Sequence, residues 1–143
     1  MTGKYFEEMK IGETFSFSLT VTEAHLVLFS GLTGDFNPVH TNEIYCQNNK
    51  FKTRCIHGAL TSAFMASPIG QYFYGTGIAL LNLNTEFKKP VFPGNTVTAV
   101  WRIIGLEQKN TCGLVHLECC CTIDDNSIVA TANTKVLVKN KSN

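Results

Sequence analysis

Apolar and polar residues alternate from Phe15 to Val21, placing Phe15, Phe17, Leu19 and Val21 on one face, and this period of two predicts a strand. Thr20 and Thr22 are both available as N-caps for a following helix, and Thr20-x-x-Glu23 has capping-box spacing. That helix is expected to run to Gly31 or Leu32, with Val27, Leu28 and Gly31 at helical spacing. Thr33 to Thr41 reads as a loop, because Gly34, Asp35, Asn37 and Pro38 are all turn formers. Residues 43–49 suit a short helix, and residues 50–54 read as an irregular basic stretch. A second helix is expected from about His57, since Ile56, Leu60 and Phe64 recur every fourth position. Its small residues Gly58, Ala59, Ser62, Ala63 and Ala66 allow close approach to neighbours. Pro68 should break or kink it, unless Ser67 caps a new turn that begins with the proline.

From Ile78 onward the pattern changes to strands. Leu81, Leu83, Thr85 and Phe87 alternate, as do Val97, Ala99, Trp101 and Ile103. Two further runs are Val115 to Ile123 and Ile128 to Val138, the latter with Ile128, Ala130, Ala132, Thr134, Val136 and Val138 on one face. Pro90, Pro93-Gly94, residues 105–113 and Asp124-Asp125-Asn126 punctuate them. One strand, helical material and then four long strands make an α+β pattern, with consecutive hairpins forming an antiparallel sheet. Neither repeat nor linker interrupts the 143 residues, so a single domain over 1–143 is expected, with the polar residues 139–143 fraying.

Composition narrows the function. Hydrophobic residues make up 44% of the chain and charged residues 16%, which excludes disorder and suggests a surface partly covered by another subunit. A formal net charge of +1 argues against sequence-independent nucleic-acid binding. No apolar run approaches the roughly 20 residues that span a bilayer. No apolar segment follows Met1 to Lys4 as in a secretory signal, so a cytoplasmic protein is expected, with a mitochondrial address left open. The 6 cysteines then read as reduced thiols, and with no C-x-x-C pair a structural zinc site is not expected. Cys119 and Cys121 should share one face of a strand, with Cys120 on the other.

Gly34-Asp35-Phe36-Asn37-Pro38-Val39-His40 carries the clearest candidate chemistry. A turn can fold its carboxylate and imidazole toward one point, where they could polarise a water and move its proton. Asp35 and Asn37 also fit plain turn residues, and His40 a histidine satisfied by backbone. His57-Gly58 opens the second helix, where free backbone N–H groups and a glycine suit an oxyanion site; tight packing is the plainer use of Gly58. Asp35, His40 and His57 together also have the chemistry of metal ligands.

These residues carry a resemblance. Phe29 to His40 resembles the signature of the MaoC-like hydratases, the (R)-specific enoyl-CoA hydratases, in which Thr/Ser-Gly-Asp-x-Asn-Pro-apolar-His recurs. Ile56-His57-Gly58-Ala59-Leu60 resembles the second block of that family, and Glu86 to Asn95 a third. The order of the blocks is kept, while Ala66, Pro68 and Asn95 depart from the pattern.

The resemblance implies a hot dog fold, an antiparallel sheet wrapped around one helix, and a homodimer with sites at or near the subunit interface. It implies reversible addition of water to a trans-2-enoyl-CoA, or the acyl-carrier-protein thioester, giving the (R)-3-hydroxyacyl product, without a metal or cofactor. Asp35 and His40 match the catalytic pair, Asn37 the residue shaping their loop, and Gly58 the N–H donor to the thioester oxygen. Lys88 and Lys89 are candidates for the CoA phosphates, although solvated surface lysines fit as well. The rival readings are a hot dog acyl-CoA thioesterase, which would need a carboxylate on or near the second helix, and a non-catalytic acyl-thioester binding subunit.

Overall fold

The computed structural model describes residues 2–141. A 3-10 turn at Phe6–Glu8 precedes strand β1 (Thr14–Thr20) and helix α1 (Glu23–Thr33). Two short helices follow, α2 (Pro38–Thr41) and α3 (Glu43–Gln47), and then the long helix α4 (Gly58–Tyr72). Strands β2 (Gly77–Phe87), β3 (Thr96–Gln108), β4 (Cys112–Ile123) and β5 (Ser127–Lys139) complete the chain. All five strands lie in one antiparallel sheet of order β1-β3-β4-β5-β2. The hairpins expected from sequence join β3, β4 and β5, whereas β2 crosses over to pair with β5 instead of its neighbour β3.

One face of the sheet carries the core. Val97, Ala99, Trp101 and Ile103 of β3 are buried, as are Val115, Leu117, Cys119 and Cys121 of β4, which follows the alternation in the sequence. Helix α4 lies against this face and touches both edge strands, β1 and β2, as well as β3, so the sheet curves around it. Leu60, Thr61, Met65, Pro68 and Ile69 form its buried side. The helix continues through Pro68 and does not break there. A proline cannot donate to the carbonyl four residues back, so the ladder is weakest just before it. There the buried Trp101 ring donates Nε1–H to Met65 O at 2.7 Å, tying the weakened turn to the middle of the sheet. At the far end of α4, Tyr72 stacks on Phe15 with ring centroids 4.0 Å apart, and Phe73 meets Phe15 edge-on.

Several local expectations change. Thr22, not Thr20, caps α1, and His25 takes the place of the usual Glu or Gln, its Nδ1 accepting the Thr22 N–H at 3.0 Å. The α1 face expected to be buried is exposed at Val27 and Leu28, while Leu26 and Ser30 point inward. This helix is apolar nearly all round, so spacing alone does not single out a face. In β5 a bulge opposite Cys121 and Thr122 inserts Val129, which is fully buried, and turns Ile128 outward. β3 and β4 extend to Gln108 and from Cys112, deeper into the expected connection. Lys139 belongs to β5, and the backbone N–H of Lys141 bonds Glu7 at 3.0 Å, so fraying does not begin at 139; Ser142 and Asn143 lie outside the described residues. All six cysteines are free, and burial pushes the Cys119 thiol up to about 12 and the Cys121 thiol up to about 11.

Candidate active site

The turn that ends α1 builds the first half of the site. Gly34 sits at φ 77° and its N–H bonds Ser30 O at 2.8 Å, a left-handed cap that glycine adopts without steric cost. Thr33 Oγ1 donates to Phe29 O and accepts the Asp35 N–H at 3.3 Å. Asp35 Oδ1 accepts the Asn37 N–H at 3.1 Å, an Asx-type turn that leaves Oδ2 uncommitted. Asn37 Oδ1 in turn accepts the Val39 N–H at 3.2 Å and caps α2, with Pro38 at its first position. The expected loop at 33–41 therefore contains a short helix, and that helix sets the angle at which His40 leaves the backbone.

His40 is half-buried, and its Nδ1 lies 2.7 Å from Cys55 O. A carbonyl only accepts, so Nδ1 carries the proton and Nε2 of the neutral ring keeps its lone pair for the site. The Cys55 carbonyl is held in place by its own segment. Cys55 N–H bonds Val39 O at 3.2 Å, and Arg54 bridges Glu43 at 3.1 Å and Glu23 at 2.8 Å. The first cause of the lowered Glu43 carboxyl is its hydrogen bond from Thr53, followed by that from Arg54.

Helix α4 brings the second half. Gly58 is its first residue, so its N–H has no intrahelical acceptor and points out at the positive end of the helix. A Cβ at this position would lie 3.1 Å from the Phe87 ring, so the glycine lets the end of β2 close over the helix start. The preceding His57 occupies the N-cap position, and the motif that singled it out did not disclose the contacts its ring makes. It is 2% exposed, stacks on His40 with centroids 3.8 Å apart at 27°, and puts Nε2 3.0 Å from Asp35 O and 4.0 Å from Asp35 Oδ2. Its sequence neighbours give no sign of these partners, because all of them come from across the fold.

Asp35, His40, His57 and Gly58 thus converge, with Asn37 shaping the loop. The Asp35 side chain remains about half exposed, so the mouth is open to solvent in the single chain. One potential ligand atom from each of Asp35, His40 and His57 lies within 4.8 Å of the others. The two rings are close to parallel, however, so their in-plane lone pairs run side by side and do not converge as a metal requires. Proton transfer between a carboxylate and a tautomer-fixed imidazole suits this arrangement better.

Other candidates fall at the rim or elsewhere. Lys88 and Lys89 follow Phe87, and their N–H groups bond Val129 O at 2.8 and 3.2 Å. Both are exposed, and Lys88 Nζ pairs with Glu86 at 2.5 Å. Ser62, one turn into α4, donates to Thr85 Oγ1 at 3.0 Å. Tyr72 and Phe73 pack on β1 at the opposite end of α4, some 20 Å from Gly58 along a helix rising ~1.5 Å per residue, so they are packing residues. A depression of about 820 Å³ lies on the outer face of the sheet around Arg102, Glu118 and Lys135, away from this chemistry.

Residues 7–118 match the family model described as the MaoC-like domain. The chain is 42% identical over 102 residues to an (R)-specific enoyl-CoA hydratase of Rhodospirillum rubrum, covering 71% of each protein. It is 26% identical over 125 residues to a 3-hydroxybutyryl-CoA dehydratase of Methylorubrum extorquens, covering 87% of this chain and 78% of that protein. An unliganded R-hydratase structure from Pseudomonas aeruginosa superposes with a TM-score of 0.86 at 22% identity, covering 96% of this chain and 86% of that one. The fold is therefore the hot dog fold expected from sequence.

Proposed function

We propose that this chain, which belongs to the MaoC-like dehydratase family, is a hydro-lyase that adds water reversibly across the 2,3 double bond of a trans-2-enoyl-CoA to give the (R)-3-hydroxyacyl-CoA. The observation that carries this reading is the meeting of Asp35 and His40 beside the free N–H of Gly58. Water held between the Asp35 carboxylate and His40 Nε2 loses a proton to the pair as its oxygen attacks C3. Electron density moves through C2 onto the thioester oxygen, where the Gly58 N–H and the positive end of α4 receive it. One such preset donor is worth about 10²–10³ in rate. The pair then returns a proton to C2. Every proton and electron pair is accounted for by these groups and the substrate, so the reaction needs no metal or other cofactor.

Coenzyme A is the carrier this reading favours. Lys88 and Lys89 stand at the rim next to Phe87, in reach of a nucleotide phosphate arriving at the mouth. Lys88 would have to exchange its Glu86 partner for phosphate. A homodimer is part of the same reading, supported by the apolar side chains exposed around the mouth, Val27, Leu28, Leu32 and Phe36. The absence of any Asp or Glu between Gly58 and Tyr72 speaks against a thioesterase, which would need a carboxylate there.

The test is loss of the enoyl-thioester absorbance when the purified protein meets crotonyl-CoA and a series of longer enoyl-CoAs. Asp35→Asn and His40→Gln are each expected to lower kcat by at least about 10²-fold while the folded state survives. Chiral analysis should give the (R) product. Full activity in both variants, or no conversion at any chain length, would overturn the assignment.

A further inference from the structure

We infer that His57, held as its neutral Nε2–H tautomer, is a positioning residue that fixes the Asp35 carboxylate and the His40 ring against each other. The inference deepens the hydratase reading and rests on it for the reaction, while its geometry stands independently.

Four contacts converge on this one ring. His57 Nε2 lies 3.0 Å from Asp35 O. Because a carbonyl only accepts, Nε2 carries the proton and pins the backbone from which the Asp35 carboxylate projects. Ser30 Oγ, at 3.4 Å, is a weaker second partner, and Ser30 O accepts the Gly34 N–H that closes the same turn. The face of the ring lies on His40 at 3.8 Å, while Phe29 packs against it with centroids 5.0 Å apart. His40 is thereby restrained in the plane defined by its own bond to Cys55 O. The backbone of His57 occupies the N-cap position of α4, immediately before Gly58. A single side chain therefore touches the carboxylate loop and the imidazole, and its own backbone leads into the start of α4.

The surroundings hold the ring neutral. His57 Nδ1 is buried and has no hydrogen-bond partner, so a proton there would place a charge where nothing accepts from it. The groups facing the ring from its neighbours are Asp35 on the loop, His40 on α2, and Ser30 with Phe29 on α1; α4 carries no ionisable side chain before Tyr72. A second imidazolium stacked on a charged His40 would be repelled at this distance. A neutral His57 lets His40 take up and release a proton without a competing charge beneath it.

Two substitutions separate the two contacts. His57→Phe keeps an aromatic plate under His40 and removes the donor to Asp35 O. His57→Gln removes the plate and keeps an amide N–H in reach of that carbonyl. On crotonyl-CoA, His57→Phe is expected to lower kcat by about 30-fold with KM within about twofold, as for a misplacement of about 1 Å. His57→Gln should stay within about fivefold of the parent kcat on the same basis. Two NMR measurements do not depend on turnover. The His57 ring nitrogens should report the Nε2–H tautomer. The Asp35 and His40 side chains should each give one sharp set of resonances in the parent and in His57→Gln, and these should broaden or double in His57→Phe as the pair loses its fixed geometry. An Nδ1–H tautomer would overturn the proposal. So would parent-like, sharp Asp35 and His40 resonances in His57→Phe while kcat simply tracks the folded fraction. If His57→Phe fails to fold, the tautomer and His57→Gln decide. If the parent converts no enoyl-CoA, the hydratase reading falls and the NMR results still decide the positioning role.

Discussion

In the proposed reaction Gly58 would meet two demands at once, a bare N–H for the thioester oxygen and room for the Phe87 ring. An added methyl group would lie 3.1 Å from Phe87 Cε2 and Cζ, tighter than normal contact. Phe87 is 52% exposed and can swing away, so Gly58→Ala should cost little stability and act on the site. We expect kcat/KM to fall by about tenfold, well short of losing the donor altogether, with partial recovery when Phe87→Leu is added. Steady-state kinetics of the single and double variants check this; no recovery would mean that the methyl group itself blocks the substrate. Gly34 presents the opposite case. Nothing surrounds it, yet its φ of 77° penalises any Cβ by about 1–2 kcal/mol. Asp35, Asn37 and His40 were legible in the sequence because one short string builds their geometry from local turns. His57 stood out as part of the His-Gly block, but its contacts were not legible, since its stack on His40 and its bond to Asp35 O exist only after α4 has docked.

Among the elements, the strands of the buried sheet face were the most legible. In β3 and β4 alternation maps directly onto burial, because each has strands on both sides and one face in the core. The expectation failed where backbone irregularity or chain topology intervened. Val129 enters through a bulge that resets the phase at the start of β5, and its carbonyl becomes the acceptor for Lys88 and Lys89. The pairing of β2 with β5 leaves no trace in the pattern of either strand. The three adjacent cysteines of β4 provide a chemical test of register. Cys119 and Cys121 are buried with thiols pushed up to about 12 and about 11, while Cys120 is half-exposed on the other face. Only thiolate reacts with iodoacetamide, so native protein at pH 8 should be alkylated at Cys120 and hardly at Cys119 or Cys121. Peptide mass mapping checks the pattern, with all three labelled in guanidinium. Rapid native labelling of Cys119 would mean that the β4 face is not the one shown.

For the molecule as a whole, the unbalanced feature is the edge of the sheet at β2. That strand pairs only with β5, so its outer edge is open along Gly77–Phe87. Sheet edges are ordinarily protected by charge, bulges or cover. β2 carries no charged residue before Glu86, and Ile78, Leu80 and Leu81 are each about half exposed. The other edge, β1, differs: its exposed positions are the polar Thr14, Ser16, Ser18 and Thr20, and the hydroxyls of Ser18 and Thr20 bond Thr98 and Thr96 of β3. The apolar positions of α1 add a second uncovered area on the side of the mouth. A two-fold contact along β2 would satisfy the edge and bury these side chains in one step. We therefore expect light scattering to give a mass near twice 15.8 kDa. Leu80→Lys should shift the protein toward the monomer. β2 ends at Phe87, against Gly58, so a partner docked along it would border the site and hold that ring in place. Specific activity should then fall on dilution together with the dimer fraction, and Leu80→Lys should lower activity at concentrations where the parent is still paired. A monomer at high concentration with full activity would show that the edge is protected in some other way and that the open mouth works without a second copy.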